Sequence, residues 1–599
     1  MPSHTDKDGD NRLEIHLRLW PALAVLVAQF TSSWILSLLG STTVHSIVIH
    51  TVLPLTAAVL LAIWWLAVSR APVIDRVLGI PIIVAALWFI GYSCGDLLLA
   101  FAVPAMTTGT VLTLAATTRL RWSQVRWALA VFIAACTGVF AVLRADEVGG
   151  GLAPVVSWRW SPTRIEASAA VPTTKANRTA TLPAQAGPGD WSGFRGSVRD
   201  GIVTGTRFST DWSTPPRELW RRKVGSGWSS FAAIDGYLFT QEQRGAEELV
   251  TCYEAATGAE VWTNRTEAQF MDDSGLGPRA TPTFCGGRLY TQGCAGMLQC
   301  LDAATGNTIW RHDLAKDPDT LMPGNGFAGS PLVTDRLVIA FSGGGAGNSA
   351  VACDRAAGTV VWRSGHGTGV YTSPQFAVIA GVPQVLMVCN YGLQSFDPET
   401  GAPLIDYAWE SPHFPRCVQP VVVGDRVMVG TTGNMSARMV RIRRDGDAWS
   451  VGEEWTSKKF RPYFNDGVLH EGFYYGFDGE RLACVDIGTG ERRWEGKRYG
   501  GQIVFIADME TLLVLSDAGD VVLVPATPKS FSETARFRAI SGKTWNHPVV
   551  AHGKLFVRNA AEAACFELPG SAGPAAAAAA PQAAGTDGLE RPGETQVKE

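Results

Sequence analysis

Five stretches of the chain share one outline: Cys252-Tyr-Glu-Ala-Ala-Thr-Gly258 running to Trp262, Cys300-Leu-Asp302-Ala-Ala-Thr-Gly306 to Trp310, Ala352-Cys-Asp354-Arg-Ala-Ala-Gly358 to Trp362, Ser395-Phe-Asp397-Pro-Glu-Thr-Gly401, and Cys484-Val-Asp486-Ile-Gly-Thr-Gly490 to Trp494. A unit recurring at a spacing of roughly 40 to 50 residues cannot bury an apolar face alone and must stack on copies of itself. The repeat therefore sets the architecture before any single residue is weighed.

Within a unit, a Gly turn precedes a short apolar run, as in Asp235-Gly-Tyr-Leu-Phe239, Gly286-Gly-Arg-Leu-Tyr290, Gly424-Asp-Arg-Val-Met428 and Ala551-His-Gly-Lys-Leu-Phe556. Such runs are strand pairs joined by hairpins. A second hairpin follows, in which Gly supplies positive φ and the carboxylate bonds turn amides before the Trp-bearing outer strand. The units, each of four strands, run 231–265, 280–311, 329–363, 373–410, 419–456, 465–496 and 502–537, with an incomplete eighth at 547–568. The eighth lacks an outer strand, and an orphan with that signature, Arg217-Glu-Leu-Trp220-Arg-Arg-Lys-Val224, stands before the first. Pairing the two closes a ring and removes an exposed sheet edge. The expected fold is an all-β eight-bladed propeller of four-stranded antiparallel blades. A seven-blade count would require discarding the unit around Glu510 to Val524, whose outer strand has no Trp.

A chain of 599 residues exceeds one core and implies further parts. From Leu17 to Leu143 it is almost uniformly apolar, with polar breaks at Gly40 to Ser46, Ser69 to Arg76, Cys94 to Asp96 and Arg119 to Arg126. Five membrane helices are expected, the third, from Leu78 to Ser93, being the shortest. Lys7, Arg12 and Arg18 precede the first; Arg70 and Arg76, then Arg119, Arg121 and Arg126, fill the second and fourth breaks, while the first and third breaks have no Lys or Arg. That alternation places the N-terminus in the cytoplasm and everything after Arg144 outside it. Fusing the third and fourth spans would reverse the result. Four more hydrophobic segments after the first span argue against a cleaved signal peptide. His45 and His50 are assigned no haem, and Asp96 is read as a turn residue near water.

The expected layout is a cytoplasmic arm at 1–16, the five-helix anchor at 17–144, a flexible linker at 145–189, the propeller at 190–569 and a disordered tail at 570–599 that includes Ala575 to Ala580. The linker is Ala-, Pro-, Thr-, Ser- and Gly-rich, too poor in large apolar residues to offset chain entropy. Trp158 and Trp160, with Arg159 and Arg164, are suited either to the membrane surface or to ordinary linker placement. A formal charge of −4 from 51 Lys and Arg against 55 Asp and Glu gives no footprint for nucleic acid.

The turn Asp-x-x-Thr-Gly with Trp four residues later resembles the tryptophan-docking repeat of the pyrroloquinoline quinone (PQQ) propeller superfamily, over about Asp190 to Leu568. The entry segment Asp190-Trp-Ser-Gly-Phe-Arg195-Gly-Ser-Val-Arg-Asp-Gly201 resembles the opening of stand-alone bacterial propellers of that group. The resemblance implies one of two functions: a quinoprotein dehydrogenase, or a cofactor-free scaffold of the BamB kind. Five helices followed by eight blades is the layout of membrane-bound quinoprotein glucose dehydrogenase. Blades averaging about 44 residues leave little chain for the excursions that build a cofactor cavity in the enzymes. No adjacent Cys-Cys pair occurs, which removes only the soluble alcohol dehydrogenase subgroup.

PQQ would need basic groups for three carboxylates, a flat residue beneath the ring, Ca²⁺ held by oxygen ligands, and an Asp base. Aligning the units on their Gly turns puts Trp228, Arg279, Ala328, Tyr371, Cys417, Phe464, Ile503 and Trp545 at equivalent positions facing the central channel, with Arg416, Asn465, Asn546 and His547 beside them. Trp228 or Trp545 could stack on a quinone, and Arg279 and Arg416 could meet carboxylates. Asp466 is the nearest candidate base, but a turn or strand-end role suits it better. Plug packing of a narrow axis is the favoured reading of this ring, so no cofactor and no metal are expected; PQQ with Ca²⁺ belongs to the alternative. Trp220, Trp262, Trp310, Trp362, Trp455 and Trp494 are read as blade-docking residues, each wedge burying about 200 Å².

Of 11 Cys, Cys94 and Cys136 fall in or beside membrane spans. Cys252, Cys300 and Cys484 share one repeat position and read as small inward strand residues. Cys285 and Cys294 are a possible bridge, and no zinc spacing occurs. Gly343-Gly-Gly345-Ala-Gly347 lacks the full dinucleotide fingerprint and reads as a hairpin. Together these features describe a bacterial inner-membrane protein whose periplasmic propeller offers its rim to a protein partner at loop residues such as Phe327, His413, Phe414 and Arg461, with a quinoprotein oxidoreductase of sugars or alcohols as the alternative.

Overall fold

The computed structural model describes residues 17–38, 48–94, 96–148, 154–172, 178–344, 348–369, 371–411, 416–431 and 436–571. His45, His413, Phe414, the 345–347 part of the glycine run, the N-terminal arm and the Ala575 to Ala580 tract lie outside them.

Among the described residues five helices come first: α1 (Trp20–Leu38), α2 (a π turn Val48–Val52 continuing as Leu53–Ala67), α3 (Val73–Cys94), α4 (Asp96–Ala116) and α5 (Trp122–Ala141). The last four are long and apolar enough to cross a membrane, while α1 has a shorter apolar stretch, Trp20–Leu36. The third helix is thus not the shortest, and it begins five residues before Leu78. Pro72 starts it, its carbonyl accepting from the amides of Asp75 and Arg76 at 3.0 Å. Asp75 then takes Arg126 at 2.8 Å and the Trp122 indole at 2.6 Å, so charges that read as a loop occupy a helical first turn with partners on α5. Ala22, Leu61, Trp64, Val111 and Leu114 pack where α1, α2 and α4 meet.

The stretch expected as a tether carries regular structure. Leu143–Val148 pairs antiparallel with Pro154–Trp158, and a short helix Arg164–Ala169 is capped by Thr163, whose hydroxyl accepts from the Glu166 amide. Further on, Arg178 N donates to Val261 O and Ala180 N to Ala304 O, with Ala180 buried in the interface of the first two blades. Composition missed this because these segments borrow the propeller's apolar surface instead of making their own.

Eight blades follow, at 232–267, 283–313, 332–364, 375–408, 421–457, 468–498, 502–538, and 549–567 completed by Arg217–Lys223. The seventh, whose outer strand has no Trp, is a complete blade. In the eighth, Cys565 faces Trp220 and Glu562 faces Lys223 across the closing pair. The hairpins follow the turn chemistry: Asp235 and Gly236 both sit at positive φ, 42° and 83°, the requirement of a type I′ turn. In the second hairpin Asp302 Oδ1 accepts from the amide and hydroxyl of Thr305 at 2.8 and 2.7 Å.

Blades are joined by one repeated contact. The indole nitrogens of Trp220, Trp262, Trp310, Trp362, Trp455 and Trp494 donate to Ala255, Ala303, Arg355, Pro398, Ile487 and Thr527 carbonyls of the following blade. The ring of each of the first five lies on the turn glycine there, from Gly258 to Gly490. Across the strand pair, Cys252, Cys300, Ala352 and Cys484 face the Trp of their own blade. A small residue leaves room for the indole.

Candidate functional site

The segments that lead into the inner strands enclose an axis. Trp228, Arg279, Ala328, Tyr371, Cys417, Phe464 and Trp545 are partly accessible, whereas the next residue in each blade, from Ser229 to Asn546, is buried. Ile503, the remaining ring position, is fully buried.

Three aromatics meet at this mouth. The Trp228 and Trp545 rings are 5.2 Å apart and Phe464 lies 4.8 Å from Trp545. Lys543, which the repeat did not mark, puts its ammonium 3.8 Å from the Trp545 centroid and 4.8 Å from that of Trp228, a cation–π arrangement. The same Nζ donates to Ser274 O at 2.6 Å, and burial pulls the amine down to about 8. Arg279 is held by Asp272 at 2.6 Å. Asn325 donates to the other oxygen of that carboxylate at 2.6 Å, and its amide donates to Tyr371 Oη at 3.0 Å. Arg416 does not present itself to a ligand: it is 0% exposed, donates to Trp409 O and lies 4.8 Å over the Trp409 ring.

The floor of this well is the entry segment, 190–203. Trp191 bridges to Ala233 of blade 1, and the Phe284 amide of blade 2 donates to Ser192 O. Phe194 meets His547 of blade 8 edge to face at 5.2 Å. Arg195 donates to Gly467 O of blade 6 at 2.6 Å. Arg199 donates to Ser330 O and Pro374 O, at 3.2 and 2.8 Å, and to Pro331 O, tying blades 3 and 4. Ile202–Val203 adds a parallel strand to blade 7. These contacts lie two to five residues past their blades' ring positions, and Asp190 meets Asp235 and His552 seven past, so the segment enters from the end opposite the aromatic mouth. Both Arg195 and Arg199 sit at φ 60°, a conformation that side chains accept only when surroundings hold them. The spacing Arg195-x-x-x-Arg199 was the available signal.

Asp466, just before the strand Val468–His470, belongs to this floor. It is 3% exposed, accepts from Gln419 N at 2.8 Å, and faces His547 at 3.5 Å and Arg195 at 3.9 Å. Burial opposes its charge, but Arg195 and His547 outweigh that and hold the carboxyl below the ordinary range; His547 is itself pushed down by burial. Beside the mouth, Glu248 is the opposite case. It is 6% exposed, accepts from Cys294 N at 3.0 Å, and burial raises it to about 7.

Other expected residues fall elsewhere. Phe327 is 0% exposed, packed 6.3 Å from Phe341, and is no rim contact. Arg461 is partly buried on Asp478 at 3.0 Å. Ten cysteines, among them Cys285 and Cys294, are free thiols. Cys285 and Cys294 cannot bridge, because Thr283 pairs with Tyr290, a register that sets them roughly 20 Å apart along the hairpin. The His50 ring lies 5.4 Å from Phe101.

The faces of Trp228 and Trp545 carry Lys543, Arg279 is neutralised by Asp272, and Asp466 is spent on the floor. Among the described residues no group of three His, Cys, Asp or Glu could hold a metal ion.

Among solved structures, BamB from Moraxella catarrhalis is similar at 15% identity, covering 59% of this chain and 99% of that one with a TM-score of 0.43. The quinohemoprotein alcohol dehydrogenase from Comamonas testosteroni is similar at 13% identity, covering 65% and 82%, with a TM-score of 0.45. A europium-containing methanol dehydrogenase is similar at 12% identity, covering 62% and 90%, with a TM-score of 0.38. No curated protein matches the chain. The family model described as outer membrane protein assembly factor BamB matches residues 213–363 and 346–570. With more than half of its length and all eight blades inside those matches, the chain belongs to that PQQ-like propeller family.

Proposed function

We propose that this chain is a membrane-anchored scaffold, its propeller held outside the cytoplasm to engage partner proteins. The observation that carries this reading is that the axial cations and the axial acid are committed internally: Arg195 and Arg199 to blade carbonyls, Arg279 to Asp272, and Asp466 to Arg195 and His547. Alternating loop charge supports the location, with the inner membrane of a bacterium and its periplasm as the specific case. The alternative, a quinoprotein oxidoreductase of sugars or alcohols passing electrons to membrane quinone, is favoured by the accessible aromatic mouth and by the anchor layout. Titrating purified full-length protein with PQQ and Ca²⁺ separates the two. A scaffold gives no stoichiometric chromophore and no dye reduction with sugars or alcohols; a saturable 1:1 chromophore with turnover would replace it with the enzyme.

A further inference from the structure

We infer that the propeller is docked face-down, with its aromatic mouth against the lipid surface and its plugged end pointing away. This rests on the anchor reading of the helices and holds for scaffold or enzyme alike.

A hydrogen-bonded chain of contacts runs from the helix ends to the mouth. Arg159, just past the hairpin strand Pro154–Trp158, donates to Ser93 O near the end of α3 at 2.6 Å and to Ala141 O at the end of α5 at 3.5 Å. Its amide donates to Val142 O at 2.9 Å. Arg144 on the partner strand donates to Ser161 O and Pro162 O at 3.2 Å. Further along that strand Glu147 is 3% exposed, paired with Arg164 at 2.6 Å, with its carboxylate against Gly275. Gly275 in turn lies on the Trp228 ring, and its neighbour Ser274 takes Lys543. The helix after the hairpin seats on blade 1, where Ser168 Oγ accepts from Gly245 N at 3.1 Å. These contacts fix the mouth toward the bilayer instead of letting the propeller swing.

The surface turned that way suits the headgroup layer. Trp158 and Trp160 stack at 5.1 Å, nearly parallel, and are 51% and 70% exposed. At the same end of α3, Trp88 and Tyr92 stack at 5.8 Å with 70% and 80% exposure. Amphipathic aromatics beside helix ends belong at a membrane interface. Around the mouth, Met271 on the hairpin that carries Ser274 and Leu321 and Met322 on the loop that carries Asn325 are also exposed apolar side chains. The occupant of this face is the phospholipid surface into which the helices already run.

The test uses full-length protein in phosphatidylcholine nanodiscs containing headgroup-nitroxide lipid. A bimane label is placed through Asp273→Cys at the tip of the mouth hairpin, or through Glu471→Cys in a turn at the plugged end, and the signal of the labelled parent is subtracted. Quenching of the Asp273 label should exceed that of the Glu471 label at least twofold. Arg159→Ala should bring the two values together, because it removes the side-chain bonds to both helix ends. Equal quenching in the parent background, or stronger quenching at 471, would overturn the docking. A contrast that survives Arg159→Ala would overturn the role of the hairpin. Failure to enter nanodiscs at all would count against the anchor itself.

Discussion

Trp220 and Cys565 face each other across the closing strand pair, 345 residues apart in the sequence, while the Trp220 indole donates to Ala255 O of blade 1 at 2.9 Å. One side chain thus seals the ring twice, within blade 8 and onto blade 1.

Replacing Trp220 by Ala removes that seal, and large-to-small changes of this kind cost about 3 to 5 kcal/mol. Urea unfolding followed by circular dichroism should show a lower midpoint. Trp160→Ala, at a residue 70% exposed, should change folding stability by less than about 0.5 kcal/mol. Equal midpoints for the two would refute the closure role.

Gly306→Ala tests the docking turn. Gly306 sits at φ 73° with the Trp262 ring directly on it, so a methyl group meets both backbone strain and the indole. A loss of roughly 2 kcal/mol or more is expected, whereas Gly446→Ala, at φ 60° with open space around it, carries the strain alone and should lose about half as much. The difference between the two melting curves isolates the ring contact.

The entry segment should be releasable. Arg199→Leu leaves the carbonyls of Ser330, Pro331 and Pro374 without their donor, and buried groups left unpaired cost about 1 to 3 kcal/mol each. Limited proteolysis should then cut within 190–203 at least tenfold faster than in the parent, with the blades still intact by circular dichroism. Unchanged cleavage would mean that the floor is held without Arg199.

Glu248 gives a pH dependence with a definite sign. Burial raises it from 4.5 to about 7, so the folded chain keeps a proton that the unfolded chain releases between those values. Stability from this group is therefore lost as pH rises through that window, on the order of 3 kcal/mol in all. Glu248→Gln keeps an acceptor for the Cys294 amide without the charge, and its melting temperature should fall less between pH 5 and pH 8. Parallel curves for the parent and the variant would exclude the effect.

The repeat spoke for the blades because their turns are local: Asp302, Thr305 and Gly306 make one hairpin from five consecutive residues, and the same letters recur wherever the same turn does. The closing strand was legible for a similar reason, since Trp220 carries the outer-strand signature in isolation. Aligning the units on their Gly turns put Trp228, Phe464 and Trp545 at equivalent positions, and the structure brings those three rings together. Only the tertiary structure decided what those mouth residues do. Lys543 covers Trp228 and Trp545, Asp272 holds Arg279, Arg416 turns to Trp409, and the entry segment becomes a floor through Arg195 and Arg199. Each of these is a contact between residues distant along the chain or off the repeat register, and no local pattern encodes which buried charge will meet which carbonyl once the ring has closed.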